Sequence, residues 1–296
     1  MLSVQLVLIV FPVFLLAIGV EIYLYRRRGL SFPFHEAGIS LFMFLIFQLV
    51  NITYIRGVSS LNASLYEHRV HHFDMQHASH WVLLAVLVEF LYYWQHRLAH
   101  EVRWFWGSHS VHHSPTTMSL SGAYRLAITQ ALSFVFVFYF PIFLLGFPGE
   151  AFGMVFTINL TYQFWLHTDL IPRLGWVEGI LNTPSAHRVH HAVNPLYLDK
   201  NYGGTLMIFD RLFGTYQAEL LEEPCRYGLV GKERSLNPLK LFFQEWVAIA
   251  RDLWASRSFQ DAYLATFARP GAFQRHKIKQ AEAAGKQSSE RISKAG

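Results

Sequence analysis

Long uncharged runs separated by short polar connectors dominate the first part of the chain. Residues 2–25 are apolar apart from Ser3, Gln5 and Glu21, and Arg26, Arg27 and Arg28 follow at once. A cleavable signal would carry its positive charge before the apolar stretch and small residues after it, so this run predicts a signal anchor. The positive-inside rule puts its arginines in the cytoplasm and its start outside. Residues 37–55, and 81–93 with margins, predict a second and a third span. The chain is apolar again over 126–167, broken by Gly146, Pro148 and Gly149 with no Lys or Arg at the break. That pattern predicts a helical hairpin, each arm having roughly the 17 to 21 residues of a bilayer crossing. After Pro172 the sequence is mixed and amphiphilic, as a helical cap on the cytoplasmic surface would be. Residues 275–296 are charged and small, which predicts a disordered tail. The expected architecture is all-α: a polytopic membrane bundle of about 4–5 spans in a single domain over residues 1–274, carrying a cytoplasmic cap.

Composition agrees. The 296 residues are 52% hydrophobic and 16% aromatic, which suits a membrane protein. The single cysteine, Cys225, excludes an internal disulfide framework and any thiolate metal site. A net charge of +5 is what juxtamembrane Lys and Arg facing anionic lipid would produce. No basic stripe interleaved with aromatics is present, so nucleic acid is excluded as a partner.

Histidine spacing changes the picture most. HRLAH holds His96 and His100, HSVHH holds His109, His112 and His113, and HRVHH holds His187, His190 and His191, with His167 standing alone. Residues i, i+3 and i+4 share a helix face, so each box aims its imidazoles one way. The span assignments bring all nine to the cytoplasmic side. One ion seldom takes more than six donors, so nine nitrogens suggest two ions. A second HRVHH, holding His68, His71 and His72, falls on the opposite side of the bilayer by the same assignments, with His77 and His80 nearby, and is read as a decoy. Zinc hydrolases need only three protein ligands and an open position. Two irons, by contrast, bind O2 and yield an oxidant for unactivated C–H bonds, taking electrons from a cytoplasmic donor. A transporter would carry ionisable residues across the bilayer midplane rather than at one end, and paired haem ligands would need far fewer histidines.

These boxes resemble those of the fatty acid hydroxylase and sterol desaturase superfamily of membrane di-iron oxygenases. YYWQHRLAH (92–100) is similar to its HxxxH box at the end of a membrane helix, HSVHHSP (109–115) to its first HxxHH box, and NTPSAHRVHH (182–191) to its last. YQFWLHT (162–168) and KNYGGTLMIFDRLFGTY (200–216) resemble the branch containing alkylglycerol monooxygenases and many bacterial sterol desaturase-like proteins. The resemblance covers about residues 81–220 and implies two Fe ions, replaceable by Zn in a preparation, held by the nine histidines. It implies a lipid hydroxylase or desaturase of lipid biosynthesis, with hydroxylation the better reading and ether-lipid cleavage with a pterin donor the alternative. The enzyme would be integral to a bacterial inner membrane, or to the endoplasmic reticulum in a eukaryote. Partners would be a bilayer lipid and a separate electron-transfer protein or reductase. One position departs: many members have a second HxxxH pair, and here Gln163 stands where its first histidine would be.

Ligating histidines need outer partners to fix their tautomer. Candidates are Glu89, seven residues before His96, then Gln163, Asp169 beside His167, and Asp199, Asn201 and Asp210 after the last box. Trp104, Phe105 and Trp106 read as an interfacial belt. Tyr92, Tyr93, Trp94, Phe164 and Trp165 flank the boxes and predict an apolar channel from the membrane interface to the metals.

Overall fold

Two long apolar helices open the chain: α1 (Leu2–Arg27), ended by Gly29 at φ +68°, and α2 (Phe34–Glu67). The computed structural model describes residues 2–295, and the side chains of residues 11–283. Helix α2 is the one helix long and apolar enough to cross a membrane among the residues whose side chains are described. Its 34 residues extend about 51 Å, well beyond a ~30 Å hydrocarbon core. Leu45, Leu49 and Ile52 stand bare along it, an exposed apolar face of the kind that marks a membrane or protein contact.

Helix α3 (Ala78–Glu101) follows and carries the first histidine box in its last turns. The short α4 (Arg103–His109) leads into the second box. Further on come α5 (Phe140–Leu145), α6 (Gly149–Phe164), α7 (Pro184–His191) and α8 (Ile208–Leu212). The chain closes with α9 (Pro238–Trp254), α10 (Phe259–Thr266) and α11 (Ala272–Ala295). Among the described residues there are isolated β-bridges but no strand. Caps mark the starts that sequence chemistry favours. Thr183 accepts from the Ala186 amide with Pro184 behind it, and Asn237 accepts from the Lys240 amide with Pro238 in the first turn.

The hairpin expected over 126–167 is only half helical. Its second arm is α6, but the first is two 3₁₀ turns, 128–133 and 135–139, and then α5. The cause is local. The Thr129 carbonyl accepts from the Ser108 hydroxyl at 2.8 Å and the Leu132 carbonyl from the Trp104 indole at 3.0 Å, drawing off acceptors that an α-helix needs. Phe134 between the turns sits at φ +53°, which no continuous helix allows. The tail also differs from expectation, since α11 is helical where disorder was predicted. Phe273 is buried at its start and Lys277 pairs with Asp261 at 2.8 Å, after which Ala, Lys, Glu and Gln favour continuation.

Helices α3, α5 and α6 pack through Leu84, Val88, Ile142, Phe143 and Ala151. Charged groups join the remaining pieces. Glu21 of α1 accepts from the Leu120 amide at 3.0 Å and from the Thr168 hydroxyl at 2.7 Å, fastening α1 to the segments after the second box and after His167. Glu36 of α2 pairs with the wholly buried Arg125 at 2.5 Å, and also accepts from Thr116; Arg125 in turn donates to Ser114, beside His113.

Removing one member of a buried pair strands the other in low dielectric. Glu36→Ala is therefore expected to cost about 3–5 kcal/mol, read as a lowered thermal midpoint of the purified protein; a midpoint equal to the parent's would show that the pair contributes nothing.

Candidate metal centre

Helix periodicity orders the histidines before any ion is considered. In α3, His96 and His100 are one turn apart and both are buried. The second box winds through a tightened turn after α4, where the His112 amide bonds the His109 carbonyl at 3.0 Å. In α7, three histidines share eight residues, all of them buried. His167 lies just past the end of α6.

The nine side chains meet as two groups: His96, His100, His109, His113 and His190, then His112, His167, His187 and His191, each group having its donor atoms within 4.8 Å of one another. Both HxxHH boxes are shared between the groups by one rule. The i and i+4 members go together, His109 with His113 and His187 with His191, while the i+3 members, His112 and His190, cross to the other group. His96 and His100 complete the first group as a second i, i+4 pair. In the second group the corresponding pair is Gln163 and His167, so one pair member is an amide. The decoy box joins neither group. His68 bonds the Ser64 carbonyl and His72 the Tyr66 hydroxyl, both exposed. The segment that holds it pairs with the 144–146 turn through Val70 and Phe73, and α6, about 24 Å of helix, runs from just beyond that turn to just short of His167.

Donor spacing fits metal ligation. The Nε2 atoms of His96 and His109 are 3.0 Å apart, those of His167 and His112 3.3 Å, and those of His167 and His187 3.0 Å. Nitrogens held ~2.0–2.1 Å from one ion sit about 2.9–3.4 Å from each other. The outer nitrogens fit too: Nδ1 of His96 donates to the Tyr202 carbonyl at 2.8 Å, that of His167 to the Gln163 carbonyl at 3.0 Å and that of His190 to the Lys200 carbonyl at 3.0 Å. Each bond fixes the tautomer and leaves Nε2 bare for a cation. Nε2 of His100 and Nε2 of His190 are buried with no hydrogen-bond partner, which costs free energy unless an ion takes the lone pair. Burial first, and neighbouring imidazoles second, push the pKa values of His109, His113, His187, His190 and His191 well below the ordinary range, so these rings are neutral at pH 7 and able to ligate.

The outer candidates reach the site indirectly. Glu89 hydrogen-bonds to no histidine among the described residues. It accepts from Asn159 at 2.6 Å and from the Thr205 and Leu206 amides at 3.1 Å. Asn159 accepts from the Gln163 amide, and Tyr92 donates to the Gln163 oxygen, so Gln163 is engaged by both ends of its side chain while its backbone carbonyl holds His167. Asp210 pairs with neither Arg188 nor Arg211. It accepts from the Tyr202 and Gly203 amides at 2.7 Å and so braces the loop whose carbonyl holds His96. Asn201, at φ +58°, donates to the Ala186 carbonyl of α7. Asp169 accepts from Tyr227, and Asp199 from Arg269. The expected interfacial belt divides: Trp104 packs edge-on against Trp246, whereas the Trp106 ring lies 5.2 Å from His100 and covers the first group. Sequence reasoning missed Tyr202, Asn159 and Arg125; an ionisable Arg125 beside an apolar run was the one visible signal.

Of the aromatic residues that predict the channel, Phe164 is buried and stacks on Phe14 at 3.7 Å. An open cavity of about 500 Å³ lies between the α1–α2 turn and the segments after His113 and His167, lined by Tyr25, Pro33, Thr116, Thr117, Asp169 and Tyr227 among others.

A family model described as Fatty acid hydroxylase matches residues 81–215. Alkylglycerol monooxygenase of Xenopus tropicalis is 42% identical over 191 residues, which is 64% of this chain and 42% of that protein. Human alkylglycerol monooxygenase is 41% identical over the same length and shares. Ornithine lipid hydroxylase OlsE of Rhizobium tropici is 31% identical over 151 residues, 51% of this chain and 46% of that protein. The chain thus spans less than half the length of these curated relatives. No solved structure matches.

Purified protein is expected to hold two metal ions per chain. His112→Ala or His190→Ala should lower metal content by elemental analysis and His71→Ala should not; equal loss in all three would overturn the grouping. Unfolded imidazoles take up protons near pH 6.5, whereas the buried ones resist. The unfolded state thus binds more protons, and stability must rise with pH through that region. Metal-free protein should accordingly melt at a lower temperature at pH 5.5 than at pH 7.5, and a flat profile would contradict the burial.

Proposed function

We propose, from the match of residues 81–215 to the fatty acid hydroxylase family model, that the protein is a membrane-bound, O2-dependent oxidoreductase that hydroxylates a C–H bond of a lipid. The observation that carries the reading is the interleaved pair of histidine groups, with five and four donors. Two Fe ions held there would supply O2 activation and hydrogen abstraction from an unactivated carbon. The chain's own residues do the rest. Carbonyls of Gln163, Lys200 and Tyr202 orient the imidazoles, Trp106 shields the first group, and the Glu89–Asn159–Gln163–Tyr92 chain keeps the region between α3 and α6 rigid. Since the first group has five donors and the second four plus the Gln163 side, the second group is where a ligand position is open to a reactant.

We place the two groups on the cytoplasmic side, with α1, α2, α3 and the 126–167 segment as the membrane part and residues after Pro172 as the cap. Tyr25 and Pro33, at the membrane end of the cavity, and Thr116, Thr117 and Asp169, next to the metal segments, make that cavity the place for a lipid's polar head. Electrons come from a separate donor protein. Alkylglycerols are the second reading, favoured by the 42% identity to alkylglycerol monooxygenase against 31% to the ornithine lipid hydroxylase. Hydroxylation at the carbon next to the ether oxygen, with a pterin as reductant, would then release the chain.

Comparative lipidomics under isotopically labelled O2 tests both. Cells expressing the protein should accumulate lipid carrying one labelled oxygen, or lose ether lipid and gain labelled fatty aldehyde if the second reading holds, and His190→Ala should abolish the change with the protein still inserted. Unsaturated product without label would mean desaturation, and an unchanged lipidome from metal-replete protein would overturn the assignment.

A further inference from the structure

Helix α9 leaves one face without a partner. Leu239, Phe243, Val247 and Trp254 recur every four or seven residues and form one narrow stripe. Leu239 is 68%, Val247 63% and Trp254 93% exposed. An indole this bare is costly in water, and Phe259 extends the patch onto α10. Lys240 and Arg251 lie along one edge of the stripe, both exposed. The opposite face, with Leu241, Phe242 and Ile249, is buried.

What the buried face touches fixes the level of the stripe. Leu241 and Phe242 share a cluster with Met43 and Ile39 of α2. Those two residues lie five and nine positions into α2, roughly 7 and 13 Å along its axis from Phe34. An amphipathic helix at a membrane surface sinks its apolar face about 5–10 Å into the boundary between head groups and acyl chains. The neighbouring turns continue the same apolar surface: Trp104 joins Trp246 of α9 to the Leu132 carbonyl, and Leu132 and Phe134 are themselves exposed.

We infer that α9 is an in-plane interfacial helix, its Leu239–Phe243–Val247–Trp254 stripe inserted into the leaflet on the side of the metal centre, with Lys240 and Arg251 reaching lipid phosphates. The inference rests on the proposed membrane reading, with α2 as a span. Basic residues at the stripe's edge, whose stems can run along it to phosphates, and the contact with the first turns of α2 select lipid over a second copy of the chain, since a two-fold self-contact through the stripe would bring the Lys240 and Arg251 of both copies together with no acidic partner on the stripe.

Polarity-sensitive labels distinguish the outcomes. In a Cys225→Ser background, single cysteines at Val247, Trp254, Glu222 and Leu49 would be labelled in nanodiscs holding one protein each. The discs would contain phosphatidylcholine and phosphatidylglycerol, with spin-labelled lipid quenching just below the head groups. Labels at 247 and 254 should be blue-shifted and quenched severalfold more than the label at 222. If 247 and 254 behave like 222 while 49 is protected, α2 is embedded and the inference alone fails. If 49 is also water-exposed, the membrane reading fails with it. Shielding of 247 and 254 only in vesicles holding many copies would assign the stripe to a second chain and overturn the inference.

Discussion

Nine neutral imidazoles can be buried side by side only if nearly every ring nitrogen has something to bond, because an orphaned polar atom away from water costs about 1–3 kcal/mol. That demand organises the surroundings of the centre. Carbonyls of Tyr202, Gln163 and Lys200 take the outer protons of three rings, and each carbonyl needs a loop or helix end held still. The 199–203 loop bends through two positive-φ residues, Asp199 and Asn201, a geometry that persists because Asp210 caps its amides and Asn201 ties it to α7. The bare Nε2 atoms converge on two points where a cation can take their lone pairs, while Nδ1 of His112 and Nδ1 of His187 face away from those points and are buried without a partner among the described residues.

Structural carboxylates outside the centre share one task, holding the histidine-bearing segments together without entering the ligand spheres. Glu21, Glu36 and Glu89 each accept from groups far away in sequence and each anchors a different helix. Were one of them to swing inward, a carboxylate would displace an imidazole and alter the charge and donor strength of the site. Their bonds to backbone amides and to Arg125 keep them occupied elsewhere.

Much of this was legible in the residues. Helical spacing picked out eight of the nine histidines that the fold assembles, the hairpin's hydropathy added the lone His167, and hydropathy also set apart a decoy of identical spelling by putting it at the other end of the helices. The pairing rule was not legible, since which ring joins which group depends on how α3, α4, α6 and α7 cross. Glu89 illustrates the same limit. An ionisable group in an apolar run calls for a partner, but the partners lie 70 and 116 positions away and prove to be an amide side chain and a bare backbone turn. The missing first arm of the 126–167 hairpin failed for a related reason: hydropathy records that a run is apolar, not that Ser108 and Trp104 will claim its carbonyls.

The crossing of the i+3 histidines carries a further consequence for how the molecule is made. Because His190 completes the first group and His112 enters the second, neither ligand sphere can close within any one stretch of the growing chain. Full loading must await synthesis of the last box, when the preceding helices are already placed. The two groups differ in this respect: four of the first group's five donors lie within residues 96–113, whereas the second has only His112 and His167 until the last box supplies His187 and His191, so the second ion is the one whose capture waits for α7.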